Sequence, residues 1–492
     1  MYLLPTPEKV EIKSGIYKFT DEKNIPVSKE ISKEMTTPES YVLTVNESGV
    51  HIEGADEAGV YYGEITLKQI LKNYKGYLPY LFISDKPRFA YRGFMIDSCR
   101  HFFTVEEIKK MIDAAAMFKF NKFHFHLTDD QGLRIESEKY PRLTEIGSVR
   151  NGSEFSRTDF NSDRYAYFYT KAQLREIVEY CKERFIEVIP EVEMPGHTTA
   201  ILSAFPEFSC TGKKIEPKLH GGIFDDILCA GNTDVLKFCC DIIDELCEIF
   251  PSEYFHIGGD EAPKKRWENC EKCKSKMKEL GISDTEQLQG WFVNEISQHI
   301  KSKGKKAICW NESLKGGNLK NNVTISLWMD KEGYTAKWAN EGNPVIVENF
   351  SPYYVDYPYG MHPLKNCYMF DPLRIKGLDE TGKKSIIGVE SPIWTEYVTT
   401  FERMSYMCFP RWFAVAETGW HGTNDKNFTS FLEKTSFYCD VLKENGHYPA
   451  PKEMWNVLPH QRLTQTAKFF LNAATKDSIN NLLGIKDGEK ND

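Results

Sequence analysis

The sequence lacks the long apolar run that a membrane-spanning helix needs. No stretch approaches the ~18–20 apolar residues that cross a bilayer, and Met1–Glu8 forms neither a basic leader nor an apolar export segment. Clusters of Lys and Arg are also absent, and the net charge is −9. These absences argue against nucleic acid or a membrane as a partner. They predict a cytoplasmic protein, although an export signal that had been removed would leave no trace.

A disulfide framework is missing as well. The 13 cysteines are scattered and odd in number, which is typical of a reducing compartment. Only Cys270-Glu-Lys-Cys273 has the spacing of half a zinc site, and no second Cys-x-x-Cys accompanies it. We therefore expect a pair of thiols at the start of a helix, with neither a metal nor a cofactor.

The length and patterning of the chain predict two folded parts and an extension. At 492 residues the chain is too long for one average domain but fits a barrel with a companion domain. Residues 1–87 combine short β-type runs, at Tyr41–Val45 and Gly49–Ile52, with a helical pattern near Gly59–Leu71. This predicts a small α+β N-terminal domain, joined to the rest through Asp85–Arg88. Residues 441–492 are expected to form a helical extension with a polar tail.

From residue 88 to residue 440 the pattern is strand followed by helix, repeatedly. Capping boxes at Thr104–Glu107 and Thr170–Gln173 open two of the helices, and another helix is predicted over Thr285–Lys303. Alternation of this kind predicts an α/β fold, a (β/α)8 TIM barrel. A doubly wound open sheet is the alternative, but no Gly-rich phosphate loop follows the first strand. The predicted strands are Ala90–Asp97, Lys122–Thr128, Glu187–Met194, Tyr254–Glu261, Lys306–Glu312, Val323–Met329, Pro344–Asn349 and Ser385–Trp394.

Polar and aromatic residues stand at or just after the C-terminal ends of these strands, the face that carries barrel active sites. Asp260 and Glu261 are the most unusual of them, because they follow a buried run and two glycines. Since unpaired buried charge is costly, such acids are either solvated or face a cleft. Alone, the pair fits a polar strand end as well as a catalytic site. The other strand ends favour catalysis: Asp97, Arg100, His101, Asp129, Asp130, Glu193, His197, Trp310, Glu312, Trp328, Tyr354, Asp356, Trp394 and Glu396.

Several motifs along the predicted barrel resemble, in the same order, the β-N-acetylhexosaminidases of glycoside hydrolase family 20. The resemblance covers nearly the whole barrel and, more weakly, the N-terminal domain. It implies a retaining exo-hydrolase that removes terminal β-GlcNAc, with β-GalNAc as a second candidate. In that family the substrate's own 2-acetamido oxygen attacks and forms an oxazolinium intermediate. The motifs are Tyr91–Asp97 with Arg100-His-Phe, Phe123–Gly132, Pro190–His197, His256–Glu261, Trp310–Glu312 and Trp394–Glu396.

The resemblance also implies a role for each site residue. Glu261 would be the general acid and base, which must hold a proton before attack. Asp260 would accept the acetamido N–H and stabilise the oxazolinium ion, while Tyr354 would bind the acetamido oxygen. Asp129 and His197 would support Glu261 by hydrogen bonding.

The remaining residues would bind the sugar. Trp310, Trp328 and Trp394 would wall the pocket, although a single Trp is more often a core residue. Hydroxyls of the terminal sugar would bind Arg100, Glu396 and Asp356. Arg100 and Glu396 could equally form a structural ion pair.

Other functions stay open at this point. His124 and His126 face the same side of a strand, a metal-ligand spacing, so a metal-dependent barrel hydrolase is an alternative. A disaccharide-releasing relative and a non-catalytic glycan-binding relative are two others. Departures from the family pattern at Glu193, Phe125, Leu133 and the loop 151–169 affect fine specificity more than chemistry. The sequence leaves the oligomeric state open.

Overall fold

The computed structural model describes residues 1–422 and 426–473, so the predicted polar tail from residue 475 lies outside the described residues. The N-terminal part is a sheet in the order β1-β5-β3-β4-β2, covered by one helix. Strand β3 alternates buried and half-buried side chains, and its buried face packs under α1. The elements are β1 (Lys9–Lys18), β2 (Val27–Ile31), β3 (Tyr41–Asn46), β4 (Gly49–Gly54), α1 (Glu57–Asn73) and β5 (Tyr77–Asp85).

The chain then alternates strands and helices. Its first half contains β6 (Tyr91–Asp97), α2 (Val105–Met117), β7 (Lys122–His126), β8 (Thr128–Asp129), β9 (Gly132–Leu133), β10 (Val149–Ser156), β11 (Asp159–Ala166), α3 (Lys171–Lys182), β12 (Glu187–Glu191), α4 (Thr199–Ala204), α5 (Thr233–Cys247), β13 (Tyr254–His256), α6 (Lys265–Glu268), α7 (Glu271–Leu280) and α8 (Thr285–Ser302). Its second half contains β14 (Lys306–Trp310), β15 (Val323–Leu327), α9 (Tyr334–Asn340), β16 (Val345–Val347), α10 (Phe350–Tyr353), α11 (Leu364–Met369), α12 (Glu380–Ser385), β17 (Ile386–Ile393), α13 (Phe401–Cys408), α14 (Arg411–Trp420), α15 (Phe428–Glu444), α16 (Lys452–Trp455) and α17 (Pro459–Ala473). Short helical turns lie at Glu22–Asn24, Leu143–Gly147, Pro206–Phe208, Asn311–Leu314 and Pro372–Arg374.

Eight parallel strands, β6, β7 and β12 to β17, close into a barrel, as the sequence predicts. Each predicted strand is one of the eight, and both capping boxes are present, at Thr104 and Thr170. Seven of the eight strands end earlier than predicted, whereas β6 ends at Asp97 as predicted. Strand β13 stops at His256, for example, because the backbone turns at Gly258 and Gly259, which both have positive φ. Asp260 and Glu261 therefore stand on a loop beyond the end of the strand.

The prediction of a loop over residues 151–169 is wrong for most of that stretch, because the chain pairs there as the antiparallel hairpin β10–β11. Most residues of β11 are exposed or half-buried, so no apolar face marks the strand in the sequence. Strand β1 was not predicted either, although Val10 and Ile12 alternate with charged residues in it, and nearly all of its residues are exposed.

Buried ion pairs join the N-terminal sheet to the barrel. Lys119 Nζ lies 3.0 Å from Asp85 Oδ2 and 2.9 Å from the hydroxyl of Tyr41, and all three side chains are buried. Arg92 at the start of the barrel pairs with Glu39 at 2.7 Å. The segment expected to be a linker thus begins with a carboxylate that fastens the two parts together. None of the described helices has the length and apolarity needed to cross a membrane.

Candidate active site

Asp260 and Glu261 stand on the loop that follows β13. The turn before them needs glycine, because a Cβ at Gly258 would lie 1.8 Å from Glu193 Oε2 and one at Gly259 would lie 2.6 Å from Ser313 Oγ. Glu261 itself has a φ of 42°, in the left-handed region. This compact turn lets two adjacent carboxylates reach one cavity, which neighbours on a regular strand do not do.

The cavity at this barrel end has a volume of about 390 Å³, within the range of small-ligand pockets. It collects residues from most of the strand ends and from the loop around residue 220. Its lining comprises Arg100, Phe155, His197, His220, Gly221, Gly222, Asp260, Glu261, Trp328, Phe350, Tyr354, Asp356, Tyr357, Trp394, Glu396, Tyr397 and Ala473.

Asp260 carries an acceptor that the protein leaves free. Its Oδ1 atom is buried and has no hydrogen-bond partner among the described residues. Burial raises the pKa of Asp260 to about 7, with the charges of Glu261 and Glu312 adding to the rise and His197 opposing it. A buried acceptor without a donor is costly, so this atom is suited to an N–H group of a ligand.

His197 lies between two pairs of carboxylates. Its Nδ1 is 3.3 Å from Asp129 Oδ1 and 3.1 Å from Asp130 Oδ2, while its Nε2 is 3.5 Å from Glu261 Oε2. Nε2 is also 3.9 Å from Asp260 Oδ2. Burial alone would lower the pKa of His197, but the surrounding carboxylates raise it well above its usual value. A protonated imidazole here donates toward the acidic pair and holds it in place.

Arg100 holds the far end of the cavity. Its guanidinium contacts Asp97 at 3.2 Å, Asp129 at 2.8 Å and Glu396 at 3.7 Å, and stacks over the Trp394 ring at 5.0 Å. The Arg100–Glu396 ion pair is therefore formed, and both residues also line the cavity. The two expectations for this pair are compatible.

Asp356 adds a third polar group at that end. It is buried, and its Oδ1 has no hydrogen-bond partner among the described residues. Burial and the charge of Glu396 raise its pKa well above the usual value. Its neutral acid form could donate to a sugar hydroxyl, and its anion could accept from one.

The aromatic residues divide into a wall and a support. The Trp328 and Tyr354 rings stack with centroids 6.3 Å apart, and Trp394 lies 6.1 Å from Tyr354. Trp310 is fully buried, is not among the described lining residues, and packs 6.2 Å from Trp394. Its indole N–H donates to Glu191 at 3.0 Å. A wall role for Trp310 stays a prediction, whereas its contact with Trp394 supports the wall from behind.

The histidines that suggest a metal site belong to a network of carboxylates inside the barrel. His124 lies 2.7 Å from Glu390 and 3.0 Å from Glu191, and His126 contacts Glu191 and lies 3.0 Å from Asp129. Burial opposes charge on both rings, but these carboxylates raise the pKa of His126 to about 9 and that of His124 well above its usual value. Both nitrogens of each ring face these carboxylates, so the geometry favours a structural ion network.

Sequence reasoning assigned no role to two buried acids, Asp130 and Glu191, although Asp130 was among the residues at the strand ends. Asp130 accepts from the Thr199 backbone at 2.9 Å and from His197, which positions that ring. Glu191 is the centre of the histidine network, and Glu191 stands only two residues before Glu193 in the quoted motif. Glu193 is one of the positions where the chain departs from the family pattern. Its carboxylate lies under the glycine turn, where Oε2 accepts from the Gly259 N–H at 3.4 Å.

Comparisons with known proteins identify the family to which the chain is similar. The glycosyl hydrolase family 20 catalytic domain matches residues 89–423, and domain 2 of the same family matches residues 23–86. A β-hexosaminidase of Porphyromonas gingivalis is 40% identical over 439 residues, covering 84% of this chain and 55% of its own length. A β-hexosaminidase of Akkermansia muciniphila is 30% identical over 473 residues, covering 92% of this chain and 93% of its own. The chain thus spans about half the length of the first relative and nearly all of the second.

Solved structures agree in fold. A β-N-acetylhexosaminidase from Bacteroides fragilis superposes with a TM-score of 0.81 at 30% identity, covering 93% of this chain and 99% of its own. An exo-β-N-acetylglucosaminidase from Vibrio harveyi, in complex with N-acetylglucosamine, gives a TM-score of 0.82 at 26% identity, covering 91% of this chain and 78% of its own. With a catalytic-domain match over most of its length, the chain belongs to glycosyl hydrolase family 20.

Proposed function

We propose that the protein is a retaining exo-β-N-acetylhexosaminidase acting on terminal, non-reducing β-GlcNAc or β-GalNAc. The observation that carries this proposal is the unpartnered, buried Oδ1 of Asp260 beside Glu261 in a small cavity. A sugar with a 2-acetamido group brings the N–H that this oxygen lacks. Family membership and the names of the relatives support the same substrate class.

In the first half of the reaction, Glu261 donates its proton to the glycosidic oxygen as the C1–O bond breaks. The acetamido oxygen attacks C1 from the opposite face, so a bicyclic oxazolinium ion forms. Asp260 accepts the acetamido N–H and its negative charge stabilises the cation. The hydroxyl of Tyr354, on the wall of the same cavity, would donate to the acetamido oxygen and aim it.

In the second half, Glu261 takes a proton from water, which attacks C1 and opens the oxazolinium ring. Two inversions at C1 leave the product with its original β configuration. His197 remains protonated and keeps both carboxylates in place throughout. Asp129 and Asp130 hold that imidazole from behind.

The shape of the cavity supports removal of one sugar at a time. Arg100, Asp356 and Glu396 occupy one end, where they would bind the hydroxyls of the terminal sugar. Glu261 is the more exposed of the two acids, with 31% of its side chain accessible against 14% for Asp260. The proton donor therefore stands toward the mouth, where the leaving group departs. A disaccharide-releasing enzyme would need a second sugar site beyond Arg100 and Glu396.

A panel of matched aryl glycosides tests this proposal. We expect hydrolysis of the 4-nitrophenyl β-glycosides of GlcNAc and GalNAc, and none of the β-glucoside, which lacks the acetamido group. Proton NMR should show the β-anomer of the free sugar first. Comparable rates on the glucoside, an α-anomer as first product, or release of intact disaccharide from a disaccharide aryl glycoside would overturn it. A requirement for added divalent metal at the reacting centre would favour the metal-dependent alternative.

A further inference from the structure

Four cysteines from three places in the chain meet near the segments that follow the barrel strands. Their Sγ atoms all lie within 4.8 Å of one another. Cys229 Sγ is 3.7 Å from Cys270 and 3.6 Å from Cys273, and Cys210 Sγ is 3.9 Å from Cys273. Three of the four are buried and Cys210 is half-buried. The sequence shows only the Cys270–Cys273 pair, which does open helix α7.

We propose that Cys210, Cys229, Cys270 and Cys273 bind one structural zinc ion. Sulfur atoms at 2.3 Å from a tetrahedral zinc are about 3.8 Å apart along each edge of the tetrahedron. The S–S separations of 3.6, 3.7 and 3.9 Å match that edge. They are far too long for a disulfide, which is about 2.0 Å. A Cys-x-x-Cys pair completed by two distant cysteines is also the ligand set of structural zinc.

The surroundings of the cluster suit negatively charged thiolates. The backbone N–H of Gly231 donates to the sulfurs of Cys229 and Cys273. That close approach requires glycine, since a Cβ at Gly231 would lie 2.2 Å from the carbonyl carbon of Lys272. Donors of this kind orient metal ligands and stabilise their charge. The cluster also lies at the first turn of α7, where unpaired backbone N–H groups favour anions.

A metal here would fasten a pocket-lining loop to the barrel. Cys210 and Cys229 stand at the two ends of segment 211–228, where Ser209 and Leu228 pair in an isolated bridge. The middle of that segment supplies His220, Gly221 and Gly222 to the cavity wall. Cys270 and Cys273 belong to the segment that follows Glu261. The ion would thus join two active-site loops at their bases without touching the substrate.

The geometry favours a single zinc ion over an iron–sulfur cluster. A cluster would place several atoms between the sulfurs and hold them further apart than one ion does. A single iron could occupy the same four thiolates. Metal analysis and the visible spectrum separate the two, because zinc thiolates are colourless and iron thiolates are not.

The first test is metal analysis of the whole protein purified under reducing conditions. We expect about one zinc per chain, falling below about 0.1 in Cys210→Ser and Cys229→Ser. Cys240→Ser, a half-buried cysteine on α5 outside the cluster, is the matched control and should keep its zinc. Unsubstituted protein that neither contains zinc nor takes it up on titration would overturn the proposal. Stoichiometric iron in place of zinc would overturn the choice of metal.

Cobalt titration keeps the test decisive if the serine variants fail to fold. After zinc is removed with a mercurial reagent and the protein is reduced, added Co²⁺ should give thiolate charge-transfer bands and intense tetrahedral d–d bands. Added Zn²⁺ should then abolish them. Only weak octahedral bands would contradict a four-thiolate site. Because the ion acts through the loop, zinc loss should also lower the melting temperature and raise KM more than it lowers kcat.

Discussion

His197 reaches Glu261 with one ring nitrogen, Nε2, at 3.5 Å from Oε2, and points its other nitrogen at Asp129 and Asp130. The imidazole therefore links two buried acids to the proton donor and helps to fix the position of its carboxylate. We therefore expect its effect on the reaction to be one of positioning.

Replacing His197 should consequently damage turnover more than binding. We expect His197→Ala to lower kcat by about 10–100-fold while KM changes by less than about threefold, because supporting hydrogen bonds of this kind have effects of that size. The pH profile of kcat should also shift, since a positive charge beside Glu261 is lost. His51→Ala, an exposed residue of the N-terminal sheet, is the control and should leave both constants unchanged. A rise in KM alone would show that His197 binds the sugar instead.

The loss of kcat/KM on replacing Glu261 should be larger for poorer leaving groups. A 4-nitrophenolate or a more acidic phenol departs without much proton donation, whereas a sugar hydroxyl does not. We expect Glu261→Gln to lower kcat/KM on chitobiose by about 10³-fold or more, and far less on 2,4-dinitrophenyl β-GlcNAc. Glu312→Gln, a carboxylate of the neighbouring cavity, is the comparison. Equal losses on both substrates would argue against the role of Glu261 as the acid.

Asp260 should destabilise the folded protein at alkaline pH. Its folded-state pKa of about 7 exceeds its ordinary value of 3.8, so between these values the folded state holds a proton that the unfolded state releases. Stability is therefore lost as pH rises through 7, by an amount of the order of 4 kcal/mol. Asp260→Asn removes this loss. The melting temperature of Asp260→Asn minus that of the unsubstituted protein should be several degrees higher at pH 8 than at pH 4.

The control for that comparison is Asp440→Asn, an exposed residue of α15. It should match the unsubstituted protein at both pH values. If Asp260→Asn gave the same shift at pH 4 and pH 8, burial of the Asp260 charge would not be the cause.

The fold was predictable from the sequence where burial leaves a pattern. The eight barrel strands are buried, so each is a short apolar run, and β13 shows this in Tyr254–Ile257. Strand β11 has no buried face and leaves no such pattern. How deeply each side chain lies within the barrel was not predictable either. Trp310 ends β14 and Trp394 directly follows β17, yet Trp310 is fully buried and Trp394 lines the cavity, because the direction of the side chain decides this.

The site was predictable where a single rule applied. Asp260 and Glu261 follow β13 and His197 follows β12, and the barrel rule places all strand ends on one face. The cysteine cluster obeys no such rule. Cys210 and Cys229 reach Cys270 only through the path of the loop 211–228, which carries no periodic signal.

The buried ion pair between the two folded parts should be costly to break on one side. Lys119→Met leaves the Asp85 carboxylate buried without its cation, and changes of this kind cost about 3–5 kcal/mol. We expect a matching fall in the urea midpoint, with partial recovery in Lys119→Met/Asp85→Asn. Lys9→Met breaks an exposed pair with Glu11 and should not move the midpoint. An unchanged midpoint for Lys119→Met would mean that solvent reaches Asp85.

The attack of the substrate's own acetamido oxygen is the central claim, and changing that oxygen tests it most directly. The measurement is kcat/KM on aryl β-glycosides whose N-acetyl group carries zero, one, two or three fluorines, which withdraw electrons from the amide oxygen and add little volume. The account predicts a steep, progressive fall, by about 10-fold or more per fluorine, because a weaker nucleophile raises the barrier to oxazolinium formation. Rates that do not change across the series would contradict it, since an enzyme nucleophile or an activated water would not sense the fluorines.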